Sequence, residues 1–114
     1  MKREPPLTGP IDLLVLAVVA RGAAHGYAIA ERLRTQSGGL FDLAEGTIYP
    51  ALYRLERAGH LSSSTARVAG RIRRTYRLTG AGREALRGRA HSWRELVRGV
   101  EGILRARPAR SHAG

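Results

Sequence analysis

The chain has 114 residues, enough for one small domain with a modest core, and a formal net charge of +11 with a sequence pI of about 11.6. A domain this basic favours a polyanionic partner, either nucleic acid or an acidic membrane surface. The absence of cysteine excludes disulfides and thiolate metal sites, the four histidines lack metal-ligand spacing, and no catalytic or nucleotide-binding motif is present, so we predict neither an enzyme nor a cofactor.

The N-terminal part is predicted to be a short arm over residues 1–8, followed by a helix that Gly9-Pro10 opens. The two apolar faces of this helix are formed by Ile11, Leu14, Val15, Val18 and Val19 and by Leu13, Leu16, Ala17 and Ala20. A helix that is apolar nearly all round needs cover on both sides, either from its own domain or from a second subunit. The apolar run is too short to span a bilayer, which takes ~20 residues, and Asp12 and the preceding prolines argue against a signal peptide. We therefore expect a cytoplasmic protein without membrane contact.

A second helix is predicted from about His25 to Gln36, after a turn over Arg21–Ala24. The segment Ser37-Gly38-Gly39 is a typical stop signal for this helix. We expect His25 to cap or pack against the start of the helix.

The stretch Glu45–Leu61, EGTIYPALYRLERAGHL, has the pattern of a helix with one buried face. Ile48, Leu52 and Leu55 fall at i, i+4 and i+7, which places them on the same side. Gly59 follows as a stop signal. The positions that point elsewhere include Thr47, Tyr53, Arg54 and Arg57. Because an arginine-rich segment comes next, we interpret this stretch as a DNA recognition helix.

Pro50 is an awkward residue within that stretch, since its missing N–H would have bonded the carbonyl of Gly46. Either the helix starts later than Glu45, or its first turn is kinked. Both alternatives leave backbone amides near Gly46 and Thr47 to meet a phosphate.

Two short strand-like runs follow, at about Leu61–Val68 and Arg73–Thr79, joined around Ala69-Gly70-Arg71. Tyr76 and Leu78 alternate inward in the second run. The first run is weakly apolar, so we expect it to be an edge strand or partly exposed.

The hairpin and its surroundings are basic without interruption, because no acidic residue occurs between Arg57 and Arg83. A solvated surface normally mixes both signs, so a stretch of one sign suggests a binding face. Guanidinium groups at a hairpin tip suit bidentate phosphate contact or insertion into the minor groove. The arginines concerned are Arg67, Arg71, Arg73 and Arg74.

Thr79 is a candidate N-cap for a long final helix that ends before Pro108. Apolar residues recur in this helix at alternating intervals of four and three, which is a heptad seam. The seam residues are Leu86, Ala90, Trp93, Val97, Val100 and Leu104. A helix of ~40 Å overhangs so small a domain, so we expect a second copy of the chain to cover its seam.

Together these elements predict a mostly α fold with a small β-hairpin, organised as a winged helix-turn-helix plus a long C-terminal dimerisation helix. In that arrangement the third helix enters the major groove and the hairpin reaches adjacent backbone or minor groove. The predicted divisions are an arm over 1–8, a DNA-binding domain over 9–79, a dimerisation helix over 80–107 and a flexible tail over 108–114.

Three motifs stand out: His25-Gly26-Tyr27, the block GTIYPAL over 46–52 and the block YRLT over 76–79, of which the last two are the most specific. They resemble the PadR family of bacterial transcriptional regulators over about residues 9–87, and the single C-terminal helix resembles its short subfamily. The resemblance implies a homodimeric winged-helix repressor. The residues that the resemblance places against DNA are Tyr49, Tyr53 and Arg54, with the wing arginines on the flanking backbone.

Trp93 and Ile72 are two positions on which the resemblance bears further. Trp93, the only tryptophan, is either a dimer-core residue or the wall of a pocket for planar hydrophobic molecules, as in multidrug-sensing members of the family. Ile11 would match another wall of that pocket. Ile72 departs from the polar or proline residues that are common in the family's wing, and is expected to cap the hairpin or touch a sugar.

We predict a cytoplasmic homodimeric regulator that binds double-stranded DNA sequence-specifically and acts as a repressor released by a small-molecule effector. One alternative is a non-specific nucleic-acid-coating or RNA-binding protein, although the sequence lacks the aromatic sheet that such proteins use. Another is a protein-interaction module that docks through the final helix.

Overall fold

A computed structural model of the chain describes residues 8–108. The order of elements is α1 (Thr8–Ala20), β1 (Ala24–His25), α2 (Gly26–Gln36), α3 (Glu45–Arg57), β2 (Leu61–Val68), β3 (Arg71–Leu78) and α4 (Gly80–Arg105). The predicted mostly α fold with a β-hairpin and a long C-terminal helix is confirmed. The predicted arm and flexible tail lie outside the described residues, apart from Thr8, which begins α1, and Pro108.

Helix α1 lies at the centre of the fold, where it contacts α2, α3, β3 and α4. Val15 and Leu16, which the sequence placed on different faces, are both fully buried, so the chain itself covers most of this helix. The core around α1 consists of apolar side chains from α2, α3 and the sheet. The largest of them are Ile29, Ile48, Leu52, Leu55 and Leu61.

The predicted cap at the start of α2 is confirmed, since the Nδ1 atom of His25 accepts a hydrogen bond of 3.2 Å from the backbone N–H of Ala28. The helix ends at Gln36 as predicted. Gly38 and Gly39 follow with φ angles of 65° and 89°, which only glycine adopts readily.

Helix α3 begins at Glu45, so the alternative of a later start is wrong and Pro50 lies inside the helix. The backbone N–H groups of Thr47 and Ile48 bond the carbonyl of Ala44 at 2.9 and 3.1 Å, which completes the first turn. The prediction of a free backbone amide at Thr47 is therefore wrong. The helix ends at Arg57, because Gly59 takes a φ of 81° and the N–H of His60 turns back to the carbonyl of Leu55. The predicted stretch therefore contains a helix, a glycine turn and the first residue of β2.

The sheet has three antiparallel strands in the order β1-β3-β2, with one more strand than the sequence predicted. Ala24, assigned to a turn, pairs with Tyr76, and His25 pairs with Thr75. A strand of two residues shows no alternation, which is why the sequence did not reveal it. The weakly apolar β2 is an edge strand, as expected.

Strands β2 and β3 form a hairpin whose tip is the two-residue turn Ala69-Gly70, since Val68 pairs with Arg71. The φ angles of the two turn residues are 52° and 79°. Positive φ at both positions is the type I′ geometry, which matches the twist of the strands and extends them to the tip. Strand β3 therefore begins two residues earlier than predicted. We call this hairpin, residues 61–78, the wing.

Thr79 caps α4 as predicted, because its Oγ1 atom accepts a hydrogen bond of 2.9 Å from the backbone N–H of Gly82. The helix has 26 residues, or about 39 Å at ~1.5 Å per residue. Its first turns pack on α1 and β3. None of the helices in the described part of the chain combines the length and apolar character that crossing a membrane requires.

Candidate nucleic-acid interface

Helix α3 has one buried and one exposed face, as its periodicity predicted. Ile48, Leu52 and Leu55 are buried, whereas Tyr49 is 46% and Tyr53 62% exposed. Thr47 is half-buried and Arg57 is exposed. The exposed aromatic side chains therefore lie on the helix where a winged helix-turn-helix meets the major groove.

Tyr53 and Arg57 form a pair one helical turn apart on the exposed face of α3. The Nη1 atom of Arg57 donates a hydrogen bond of 3.1 Å to the Tyr53 hydroxyl, and its guanidinium lies 5.6 Å from the centre of the Tyr53 ring. A guanidinium over an aromatic ring is attracted by the negative face of the ring. The contact holds a phenol and a guanidinium next to each other on the exposed face of α3.

Tyr49 lies across the start of α2, and its contact there explains the neighbouring glycine. A Cβ atom added to Gly26 would lie 2.6 Å from the Tyr49 hydroxyl oxygen, closer than real Cβ contacts. The absence of a side chain at Gly26 thus lets the phenol of α3 rest on α2. This contact relates the two helices of the helix-turn-helix to each other.

Arg54 is oriented differently from its neighbours on α3. Its Nη2 atom donates a hydrogen bond of 2.8 Å to Oδ1 of Asp12, which lies 42 residues earlier in α1. Asp12 is only 7% exposed. The sequence suggested that Arg54 lies beside Tyr53 for contact with the groove. The structure instead places the Arg54 side chain on the buried Asp12 carboxylate. A contact between Arg54 and the groove stays a prediction.

The wing is joined to α3 by a chain of two hydrogen bonds. Arg74 donates from Nη1 to the Ser63 hydroxyl at 2.9 Å, and that hydroxyl donates to Oε2 of Glu56 at 2.6 Å. The sequence singled out Arg74 for phosphate contact but did not indicate that Ser63 and Glu56 position it. The wing and the recognition helix are therefore held together by polar side chains.

The tip of the wing presents arginines and one apolar side chain. Arg71 and Arg73 are exposed, and neither side chain makes a hydrogen bond or ion pair within residues 8–108. Arg67 lies near the Gly70 carbonyl, at 3.5 Å. Ile72, which pairs with Arg67 across the hairpin, is 71% exposed, so it does not cap the hairpin by burial.

A cleft of about 490 Å³ separates the wing from the start of α2 and α3. Its walls are His25, Gly26 and Tyr27, Tyr49 of α3, and Arg71, Ile72, Arg73, Arg74 and Tyr76 of β3. Three arginines and three tyrosines around one cleft suit a sugar-phosphate strand, because guanidinium and phenol groups both donate to phosphate oxygens. The sequence did not indicate Tyr27 for this site, since only β3 brings it near the wing.

The charge state of His25 follows from its place in this cleft. Burial lowers the pKa of His25 below its ordinary value of 6.5, and the positive charges of Arg73 and Arg32 lower it further. The neutral imidazole keeps a lone pair on Nδ1, which accepts the N–H of Ala28. Burial also raises the pKa of Tyr76 above 10.0, so this phenol stays protonated.

A second crevice, of about 360 Å³, lies between α1 and α4. It is lined by Leu13, Ala17, Ala20, Arg21, Leu86, Ala90, Trp93 and Arg94. Trp93 thus lies at a crevice within a single chain, but Ile11 is absent from the lining and packs against the core instead. Leu13 and Ala17 occupy the opposite wall, because they project from α1 towards α4.

The six predicted seam residues of α4 fall into two groups. Leu86 and Ala90 are half-buried against α1, so the chain itself covers the first part of the seam. The remaining four, from Trp93 onwards, are exposed by 45%, 38%, 46% and 73% in chain order; they are Trp93, Val97, Val100 and Leu104. Leu96 and Ile103 widen this exposed apolar surface.

Comparison with known proteins agrees with this arrangement. A family model described as "Transcriptional regulator PadR-like family" matches residues 15–88. Transcriptional regulator Rv3488 of Mycobacterium tuberculosis is 38% identical over 92 residues, which cover 81% of this chain and 83% of that protein.

Solved structures show the same fold over most of the chain. The structure of smu.1704 from Streptococcus mutans UA159 is similar with a TM-score of 0.78 and 30% identity, covering 96% of this chain and all of that one. A PadR family transcription regulator from Clostridium difficile R20291 gives a TM-score of 0.72 and 30% identity, covering 82% of this chain and 97% of that one.

Proposed function

The chain belongs to the PadR-like family of transcriptional regulators, and from this premise we propose that it is a homodimeric, sequence-specific repressor that a small-molecule effector releases from DNA. The observation that carries the proposal is the exposed face of α3 beside an arginine-rich wing. Tyr53 and Arg57 are exposed together on α3, and Arg71 and Arg73 extend without ion-pair partners in residues 8–108. The protein is proposed to act in the cytoplasm.

The proposed DNA interface makes two kinds of contact, with bases through α3 and with phosphates through the wing. Exposed side chains of α3 meet base edges in the major groove, where sequence is recognised; they are Thr47, Tyr49, Tyr53 and Arg57. The wing arginines neutralise phosphates and supply most of the affinity, which makes binding depend steeply on salt; they are Arg67, Arg71, Arg73 and Arg74. Arg54 contributes by holding α3 in place, as argued below.

Dimerisation is proposed to occur through the exposed part of the α4 seam. Four seam residues and their two apolar neighbours leave a stripe of large apolar side chains in water in the single chain. Burying apolar surface against a second copy is favourable at ~25 cal/mol per Å². A two-fold dimer then places the two recognition helices about one duplex turn apart, ~34 Å. Because the two helices are related by two-fold symmetry, we expect the operator to be pseudo-palindromic.

The α1–α4 crevice is the proposed effector site. Trp93 forms part of its wall and is half-exposed, so a planar hydrophobic molecule stacks on its ring and is covered from the other side by the second subunit. An effector releases DNA only if it binds the weak-binding arrangement of the heads better than the DNA-bound one.

The experiment that tests the proposal is selection of duplexes from a randomised DNA library by the purified protein, followed by competition with random duplex. We expect a palindromic consensus whose duplex stays bound in excess random DNA, and footprinting on the protein's own upstream DNA locates a natural copy. Enrichment of no sequence would instead favour the alternative of a non-specific nucleic-acid-coating protein.

A further inference from the structure

We propose that Asp12 is a positioning residue for DNA recognition: its carboxylate binds Arg54 of α3 and Arg89 of α4, and so holds the recognition helix in one orientation relative to the dimerisation helix. The inference rests on the proposed function and deepens it. It assigns Arg54 a role inside the protein in place of a direct contact with a base.

The burial of Asp12 is the first step of the argument. Within the described residues, Asp12 is the one charged residue that the fold buries, at 7% exposed. A carboxylate out of water is costly unless it is paired and hydrogen-bonded. A charged Asp12 beside the apolar core therefore requires partners that remain bound to its carboxylate.

The two partners come from two different helices, each at its own carboxylate oxygen. Nη2 of Arg54 lies 2.8 Å from Oδ1, a charge-assisted hydrogen bond, and Nη2 of Arg89 lies 3.8 Å from Oδ2, an ion pair beyond hydrogen-bonding distance. The side chains of Arg54 and Arg89 are 40% and 25% exposed. One aspartate thus joins α1, α3 and α4 electrostatically.

The surroundings of the three residues connect the two functional regions of the molecule. Arg54 is next in sequence to Tyr53, and Tyr53 lies on the face of α3 that is proposed to meet DNA. Arg89 precedes Ala90, and Asp12 precedes Leu13, and both of these neighbours line the α1–α4 crevice. A change in the separation of α1 and α4 therefore alters the 3.8 Å ion pair between Arg89 and Asp12 first. Since Arg54 binds the same carboxylate, the change then alters the position of α3.

The competing role for Arg54, direct contact with DNA, predicts the opposite result when Asp12 is neutralised. If Arg54 contacts a base, Asp12→Asn releases its guanidinium towards DNA, and discrimination between a selected and a scrambled duplex is unchanged or greater. If Arg54 positions α3, Asp12→Asn and Arg54→Gln remove the same interaction, and the double variant loses no more than either single one.

The test measures dissociation constants for the best duplex that the wild-type protein selects from a random library and for a scrambled duplex of the same length. The ratio of the two constants is the readout, because a change of net charge alters both duplexes together. The matched control is Asp42→Asn, which makes the same charge change at an exposed residue. We expect Asp12→Asn to lower the ratio about tenfold relative to Asp42→Asn, a loss of ~1.4 kcal/mol in discrimination.

The α4 end of the network is tested separately, in a variant that keeps the closer Asp12–Arg54 pair and so preserves the fold. Arg89→Gln is compared with Arg87→Gln, which removes the same charge from an exposed ion pair with Glu84 on the same helix. We expect Arg89→Gln to lower the ratio several-fold and Arg87→Gln to leave it unchanged. Equal ratios for these two variants would overturn the link to α4.

Three further results would overturn the proposal. They are an Asp12→Asn ratio equal to that of Asp42→Asn at a temperature where both are folded, a ratio for Asp12→Asn above that of Asp42→Asn, and additive losses in the Asp12→Asn/Arg54→Gln double variant. A lower melting temperature with an unchanged ratio would leave Asp12 a purely structural residue. Failure of the wild-type protein to select any sequence would instead contradict the proposed function, so the two failures are distinguishable.

Discussion

Arg71 and Arg73 lie near the tip of the wing, and their guanidinium groups make no hydrogen bond or ion pair within residues 8–108. Arg74, by contrast, is held by Ser63. A guanidinium without an intramolecular partner breaks no contact within the protein when it binds a phosphate, and each phosphate contact releases condensed counterions from the duplex. These two arginines are therefore where the electrostatic part of DNA binding is most directly testable.

Arg71→Ala or Arg73→Ala is expected to weaken binding to selected and scrambled duplexes alike and to reduce the slope of log K against log salt by about 1 each. Titrations at several salt concentrations measure this slope. Arg98→Ala, which removes the same charge from an exposed pair with Glu95 on α4, is the control and should leave the slope nearly unchanged. Equal slopes for the wing and control variants would contradict the assignment of the wing to phosphate.

His25 is a second residue whose role is testable, through the dependence of stability on pH. Its pKa in the folded protein is below the ordinary value of 6.5, chiefly because of burial and then because of Arg73 and Arg32. The unfolded chain therefore binds more protons, so the free energy of unfolding rises with pH in this range. The contribution is complete above about pH 6.5 and is lost as the pH falls towards the folded-state pKa.

His25→Asn keeps an acceptor at the N-cap of α2 but cannot titrate, so it should flatten the loss of stability between about pH 7 and about pH 5. Urea unfolding at a series of pH values measures the effect. His91→Asn, at an exposed position of α4, is the control and should follow the wild-type curve. A His25→Asn curve parallel to the wild-type curve would show that other groups cause the pH dependence.

At the scale of elements, α4 approaches the turn after α3 so closely that a glycine is required. A Cβ atom at Gly82 would lie 2.0 Å from the carbonyl oxygen of His60, a backbone atom that cannot move aside. The same carbonyl accepts a hydrogen bond of 3.2 Å from the N–H of Thr79. The contact positions the start of α4 against the turn that follows α3.

Gly82→Ala is accordingly expected to destabilise the protein by ~3 kcal/mol, at the upper end of the usual cost of overpacking. Gly88→Ala, in the same helix with open space around it, is the control and should stabilise the helix by ~0.5–1 kcal/mol. Chemical denaturation of both variants gives the comparison. A loss of less than ~1 kcal/mol at Gly82 would show that the turn shifts to accept the methyl group.

The exposed end of the α4 seam allows a test of dimerisation. Val97→Glu places a charge in the apolar surface. Because charges are depleted at interface cores, we expect this variant to raise the dissociation constant of the dimer by at least about tenfold. Gly102→Glu adds the same charge on the opposite side of α4, where the space is open, and should leave the dimer intact. Sedimentation at several concentrations measures both, and a monomeric wild-type protein would exclude α4-mediated dimerisation.

At the scale of the whole molecule, the fold forms two cavities that share no lining residue: the cleft at the wing, and the crevice between α1 and α4. The first is lined chiefly by arginines and tyrosines, and the second by Trp93 and five aliphatic residues together with Arg21 and Arg94. This separation suits a regulator in which one region binds DNA and another senses a ligand. The Asp12 network lies between the two regions.

Trp93 is the chain's only tryptophan, so its fluorescence reports directly on the α1–α4 crevice. Flat aromatic compounds are expected to quench this fluorescence saturably, and the compounds that quench it should also lower affinity for the selected duplex. The control is Trp93→Leu, which should lose the effect of the compounds on DNA binding while still binding DNA. Absence of quenching by any compound would leave Trp93 as a packing residue of the dimer.

The sequence by itself determined the elements whose causes are local. The i, i+4, i+7 pattern of α3, the cap at Thr79, the glycine stop at Gly59 and the charge of the wing all depend on residues within a few positions of one another. These features, together with the family motifs, were enough to predict the winged helix-turn-helix and the class of protein. The pairing of β1 escaped prediction because two residues carry no periodicity.

Only the tertiary structure decided which side chains meet across the chain. It placed Arg54 on Asp12, the Tyr49 phenol on Gly26 and the start of α4 on the His60 carbonyl, and it divided the α4 seam into a covered and an exposed part. The physical reason is that hydrogen bonds and steric contacts depend on ångström distances between atoms that are far apart in sequence. A helical pattern specifies a face, whereas the partner of that face depends on how the helices cross.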